Sequence, residues 1–154
     1  MAGWVATESQ IRQLHGRYGD AMFRKDAAAA GALFSTDGQW HVAGQTLMGR
    51  DAIVSFLDGA FPLFRNIMMT FRTPMIDVLD GETVSRTWVT ETRVMADGEA
   101  SLLIGIYFDR FVQEDGQLLL GWRQFQTHYS GPVDLSAKFA DPADYAAPPA
   151  MPPL

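Results

Sequence analysis

The chain has 154 residues, 47% of them hydrophobic and 19% charged, enough for one domain that buries roughly two-thirds of its chain surface and too few for two. Twelve Lys and Arg against 18 Asp and Glu give a formal charge of −6, which repels phosphate backbones and anionic bilayers, so neither a nucleic-acid nor a membrane partner is expected. The absence of cysteine excludes a disulfide frame, a thiolate nucleophile, an iron–sulfur cluster and any Cys-based zinc site. The opening Met1-Ala2-Gly3-Trp4-Val5 has no basic region or long apolar run, and no window nears the roughly 18 apolar residues of a membrane span. A cytoplasmic location is the expectation.

Thr7 with Gln10 three residues on has the pattern of a capping box. Ile11, Leu14, His15, Tyr18 and Met22 then share one helical face, so a first helix is predicted over 8–24. Asp26 is placed to cap a short Ala-rich helix from Ala27 to Phe34, ended by the turn chemistry of Ser35-Thr36-Asp37-Gly38. Gln39-Trp40-His41-Val42, a turn at Ala43-Gly44, and Gln45-Thr46-Leu47-Met48-Gly49 read as a β-hairpin. Arg50-Asp51 opens a third helix with Ile53, Phe56, Leu57 and Ala60 on one face, ended at Pro62.

From Ile67 to Met75 the odd positions alternate as a buried strand face. Three further strands are predicted near 82–95, 101–113 and 117–130, divided by turns at Asp80-Gly81, Asp97-Gly98 and Asp115-Gly116. Short turns make such a sheet antiparallel. From Val133 the alternation stops and the chain ends in Ala147-Pro148-Pro149-Ala150-Met151-Pro152-Pro153-Leu154, a composition suited to an extended or disordered tail. The organisation is one α+β domain over 1–135 with a Pro/Ala-rich tail over 136–154, in the order α-α-β-β-α-β-β-β-β, long helices covering one face of a curved antiparallel sheet.

The order of these elements, the Asp37-Gly38-Gln39-Trp40 entry to the first strand, the Gly49-Arg50-Asp51-Ala52-Ile53 helix start, and the stretch from Asp115-Gly116 to Tyr129-Ser130-Gly131-Pro132 resemble the SnoaL-like branch of the nuclear transport factor 2-like superfamily. The resemblance spans roughly residues 8 to 135 and rests on several weak signals in the right order. It implies a cone-shaped barrel with an apolar pocket, a buried acid or base facing a hydrophobic substrate, and no cofactor. Other members of the superfamily only bind or assemble, so fold does not decide function. Dehydratase and dehydrochlorinase members use an Asp late in the first helix and a His on the strand after the third. Here those positions match Phe23 and Met69, so that dyad is missing. Trp40 and Arg123 match a pocket tryptophan and a pocket arginine.

In the same register the pocket-facing positions are Val89, Glu91 and Arg93; Ile104, Ile106 and Phe108; and Arg123, Phe125 and Thr127, each assignment being all-or-nothing for its strand. Tyr18, Met22, Phe23, Trp40, Phe64, Ile67 and Met69 complete the expected lining. Glu91 is the candidate base: an apolar cavity raises its pKa while a nearby Arg123 lowers it and orients it. The alternative is a buried ion pair fixing the sheet or an exposed strand glutamate. Arg123 is the candidate for a developing oxyanion, its alternative a salt bridge to Glu91 or Asp109. Tyr18 is a candidate hydrogen-bond donor, or a core residue with a satisfied hydroxyl. His15 is a pocket acid/base or a hydrogen-bonded core histidine; His41 and His128 fall on the opposite strand faces. No histidine pair has metal-ligand spacing, so no metal site is expected. Nucleotide-binding and serine-hydrolase motifs are absent.

Trp88 and Trp122 fall on the outer face, which the resemblance implies is a subunit interface, so a homo-oligomer, dimer or trimer, is expected. The resemblance, with the aromatic lining, implies a lyase, acting by elimination or carbon–carbon cleavage on a small aromatic or cyclic substrate with Glu91, Arg123 and Tyr18 as the candidate catalytic groups. An isomerase or cyclase of the same fold and a non-catalytic ligand-binding or assembly module are the alternatives.

Overall fold

The structure, a computed structural model, describes residues 2–141, 147, 148 and 151. Helix α1 (Ala2–Arg24) is followed by the short α2 (Ala27–Gly31), the hairpin β1 (Phe34–Val42) and β2 (Gln45–Met48), and α3 (Arg50–Ala60), which a 3₁₀ turn at Phe61–Leu63 carries into the sheet. Strands β3 (Phe64–Phe71), β4 (Met75–Leu79), β5 (Glu82–Met95), β6 (Ala100–Glu114) and β7 (Gln117–Gly131) complete the domain. The sheet has the order β2-β1-β7-β6-β5-β3, with β4 also paired to β5. It is curved and unclosed, and with the three helices it forms the α+β cone expected from the sequence.

Helix α1 buries Ile11, Leu14, His15, Tyr18 and Met22, the stripe read from its spacing. It begins earlier than predicted: Thr7 lies inside it, and its hydroxyl donates back to the Gly3 carbonyl instead of capping. Asp26 does cap α2, accepting from the Ala29 N–H at 2.9 Å. That helix stops at Gly31, and the Ser35-to-Gly38 stretch read as a turn is part of β1. A Cβ at Gly38 would come within 2.9 Å of the Leu120 carbonyl oxygen, so this glycine lets β1 press against β7 rather than turn the chain. Positive φ at Ala43-Gly44, Asp80-Gly81 and Asp115-Gly116 makes these the tight hairpin turns expected.

The strand predicted to run through Met75 is two strands. Arg72-Thr73-Pro74 breaks it, since proline cannot donate to a ladder, and β3 and β4 pair with successive stretches of the long β5. The sheet is also not wholly antiparallel: β1 and β7 run parallel, because no hairpin joins them.

The largest correction concerns β6. Cross-strand partners point to the same face, and β6 sets Leu103 opposite Glu91, Tyr107 opposite Thr87 and Asp109 opposite Ser85. Leu103, Tyr107 and Asp109 therefore face inward. Ile104, Ile106 and Phe108 face outward, and Ile106 and Phe108 lie in a separate apolar cluster with Val84, Trp88, Trp122 and Met151. Phe108 thus lines no pocket inside the cone. Met151 is 6% exposed there, so this part of the expected tail is packed on the outer sheet face; much of the remaining tail lies outside the described residues. No helix among the described residues is long and apolar enough to cross a membrane.

Candidate active site

Strand alternation carries Glu91 and Arg93 of β5, Phe125 and Thr127 of β7, and Leu103 and Tyr107 of β6 to the concave face. Met22 of α1, Trp40 and Val42 of β1, Phe56 and Leu57 of α3, and Phe64 and Ile67 of β3 cover them. Together these residues line a cavity of about 310 Å³, within the range that holds a small organic molecule. Met22, Trp40, Phe64, Phe125 and Thr127 are where the sequence reading put them. Phe23 is not: it is 53% exposed on α1 and away from the cavity. One residue further along the helix than the buried Met22, it is rotated off the inner face. Met69 instead borders a different groove, between α1 and β3.

Glu91 is the single carboxylate of the cavity lining among the described residues, its side chain only 13% exposed. Burial pushes its pKa up, and the Arg93 charge opposes this. Arg93 Nε lies 3.9 Å from Glu91 Oε1 and donates to Ser101 Oγ at 3.1 Å. The result is a carboxylate that holds its proton more tightly than an exposed one and is therefore the stronger base once ionised.

Arg123 does not meet Glu91. It is fully buried and donates through Nε to Asp109 Oδ1 at 2.6 Å and through Nη2 to Oδ2 at 2.8 Å, the second of the two partners considered from the sequence. The two residues are direct neighbours across β6 and β7. His15 Nε2 lies 3.2 Å from the same Asp109 Oδ2. Burial raises the Asp109 pKa, but the Arg123 charge and hydrogen bonds, with those of His15, outweigh it and hold the carboxyl below its ordinary value. Arg123 itself is lowered by burial, yet Asp109 carries it well above the usual guanidinium range. Burial holds the His15 pKa below 6.5 against the pull of Asp109.

The Arg123 guanidinium lies against two rings, 4.6 Å from the Tyr18 centroid and 3.9 Å from that of Tyr107, which is cation–π geometry. Tyr18 also meets Trp40 edge-on at 6.4 Å. The ion pair therefore forms the base on which the aromatic cavity wall stands, with Tyr18 and Arg123 one layer below the cavity. Burial raises the pKa of Tyr18, with Arg123 opposing, and that of Tyr107 more strongly, so both phenols stay protonated. The Tyr18 hydroxyl interacts with Arg123 and with the Tyr107 hydroxyl, whereas Trp40 Nε1 is buried without a hydrogen-bond partner among the described residues. Buried donors of this kind are normally satisfied by something.

Sequence reasoning missed Tyr107 and Leu103, and it left His15 undecided; the structure makes His15 a hydrogen-bonded part of the core. His41 and His128 stand on the outer face, against Trp122 and Trp88 respectively, as expected.

Residues 5–124 match the SnoaL-like domain family. No curated protein matches the chain. Among solved structures, one described as a putative scytalone dehydratase from Novosphingobium aromaticivorans is 23% identical with a TM-score of 0.77, over 93% of this chain and 97% of its own. A hexachlorocyclohexane dehydrochlorinase is 13% identical with a TM-score of 0.76, over 90% and 95%. ActVI-ORFA from Streptomyces coelicolor is 18% identical with a TM-score of 0.70, over 79% and 97%. At these identities the likeness is one of fold.

Proposed function

We propose, for a chain that belongs to the SnoaL-like domain family, an acid/base enzyme of the lyase or isomerase kind, acting without a cofactor on a small aromatic or cyclic substrate. The observation that carries this is Glu91: a buried, desolvated carboxylate in a cavity otherwise built of rings and aliphatic side chains. Glu91 removes a proton from a carbon acid. Positioned carboxylates of this sort contribute about 10²- to 10⁴-fold in rate.

The negative charge that develops on the substrate oxygen needs donors that do not reorganise. Trp40 Nε1 in the wall is a buried donor without a partner among the described residues, backed by the Tyr18 hydroxyl and the Arg123 charge one layer below the cavity. Arg123 contributes through its field rather than as Glu91's partner, because Asp109 holds its fork. Elimination and carbon–carbon cleavage head the list of reactions by likeness to the dehydratase and dehydrochlorinase of the same fold and by the aromatic lining, since isomerisation shares the same proton transfer at carbon. Self-association through the outer sheet face, where Trp88 and Trp122 lie beside Met151, is part of the same proposal.

Proton abstraction can be read without knowing the natural substrate. In deuterated water the protein is expected to accelerate deuterium exchange at the acidic carbon of 2-tetralone above the buffer rate, and Glu91→Gln is expected to abolish that acceleration while remaining folded. Equal exchange by both proteins overturns the proposed role of Glu91. The missing Asp–His dyad, with Phe23 and Met69 in its place, favours the second reading, a cavity that binds a hydrophobic ligand without transforming it. That reading predicts binding of 2-tetralone with no exchange at all.

A further inference from the structure

A groove of about 380 Å³ opens between α1 and β3, separate in its lining from the cavity that holds Glu91. Its α1 wall has two glycines, Gly16 and Gly19, and a Cβ at Gly16 would meet nothing within 4 Å. The same wall carries His15, stacked flat on the Phe71 ring opposite at 4.7 Å. Asp109, fixed as an acceptor by the two-pronged Arg123, takes the Nε2 proton of His15. A neutral imidazole so oriented keeps its lone pair on Nδ1. That nitrogen is buried and has no partner among the described residues.

We propose that this groove is a second binding site, for a small aromatic acid bearing a hydroxyl that donates to His15 Nδ1. The other parts of the groove set the rest of the ligand. The bare glycine wall, beside the edge of a Phe71 ring whose faces are stacked by His15 and Tyr107, suits a flat apolar body. Of the two rim cations, Arg12 is held by Glu8 at 2.8 Å, so Arg72 is the one that suits a carboxylate. The groove's one carboxylate, Asp20, is already held by Arg24 at 2.9 Å, which leaves Arg72 as the rim charge with no carboxylate partner among the described residues. The low pKa that burial gives His15 keeps the imidazole in the accepting form at neutral pH. None of this depends on Glu91, so the second site stands or falls apart from the cavity chemistry.

The probe is 4-hydroxybenzoate, followed by two-dimensional amide NMR on the full chain. Saturable shifts are expected at the Gly16 and Gly19 amides, with the Trp40 indole N–H unmoved. Benzoate, which lacks the hydroxyl, is expected to bind about threefold to tenfold more weakly, the effect of one net hydrogen bond. Gly16→Leu places a side chain in the open groove on a helix that readily accepts leucine, and it is expected to abolish the shifts without unfolding the chain. His15→Phe keeps the stack on Phe71 and is expected to erase the difference between the two probes. Shifts confined to Trp40, equal binding of both probes to the unaltered protein, or binding that survives Gly16→Leu would each overturn the proposal.

Discussion

Arg123 and Asp109 meet fork to fork in the core, at 2.6 and 2.8 Å, with both side chains at 0% exposure. A guanidinium at that depth is tolerable only because its counterion is equally deep and equally fixed.

Removing the counterion therefore costs more than an ordinary surface change. Asp109→Ala leaves Arg123 buried and uncompensated and is expected to lower stability by about 3–5 kcal/mol, read as a shift of the urea midpoint. Arg123→Lys, which keeps the charge and loses the fork, is expected to be destabilising as well. An unchanged midpoint in Asp109→Ala contradicts the proposed place of this pair in the core.

Acid should reach the same network through His15. Its pKa in the fold lies below 6.5 because burial disfavours the imidazolium, so between that lowered value and 6.5 the unfolded chain binds more protons than the folded one. Stability then falls as pH drops through this window. His15→Phe should flatten the loss there. A second loss, from Asp109, follows only at lower pH: its folded pKa lies below 3.8, so its contribution is complete above 3.8 and disappears as pH falls through the folded value. Thermal melts of both proteins from about pH 2 to about pH 8, which spans carboxylate and histidine titration, separate the two.

These two residues also mark what could and could not be read before the fold was known. On β5 and β7 the register implied by the resemblance carries Glu91 and Arg93, and Phe125 and Thr127, inward together, as the cavity lining has them. On β6 both faces are apolar: Leu103 and Tyr107 on one, Ile104, Ile106 and Phe108 on the other. Alternation then carries no information about which face is buried under the helices, and a one-residue slip exchanges the whole set. The slip turns Asp109 outward in that register, so Asp109 stands there only as an alternative to Glu91 for the partner of Arg123, and it is the one the structure shows. Helix faces fared better, since Ile11, Leu14, His15, Tyr18 and Met22 form a single stripe that admits one orientation.

The β6 bulge offers a packing test. Register shifts between Ile104 and Gly105, and a Cβ at Gly105 would stand 2.3 Å from Phe125 Cζ and 2.4 Å from the Gln126 carbonyl oxygen. Because the second obstacle is backbone, Gly105→Ala cannot be relieved by a rotamer change alone. A loss of about 1–3 kcal/mol is expected, with Phe125 displaced towards the cavity and ligand binding there weakened. Denaturation and ligand titration of the one variant check both effects; wild-type values in both contradict the packing argument.

Glu91→Gln should have a stability effect that depends on pH. The pKa of Glu91 is raised above 4.5 by burial, so its favourable contribution is complete below 4.5 and lost as pH rises through the folded value. The glutamine variant is therefore expected to gain on the wild type between pH 3 and pH 7, roughly the range that spans carboxylate titration. Urea midpoints at the two pH values provide the comparison, and a gap that stays constant contradicts a desolvated carboxylate.

The titration of the Glu91 carboxyl itself, followed by its side-chain ¹³C shift in the folded protein, is the most direct measurement. A midpoint above 4.5, the ordinary value for this group, is predicted, and it should fall back towards that value in a variant that opens the cavity to water. A midpoint at or below 4.5 would mean that Arg93 or solvent governs the group, and the proposed base would lose its physical ground.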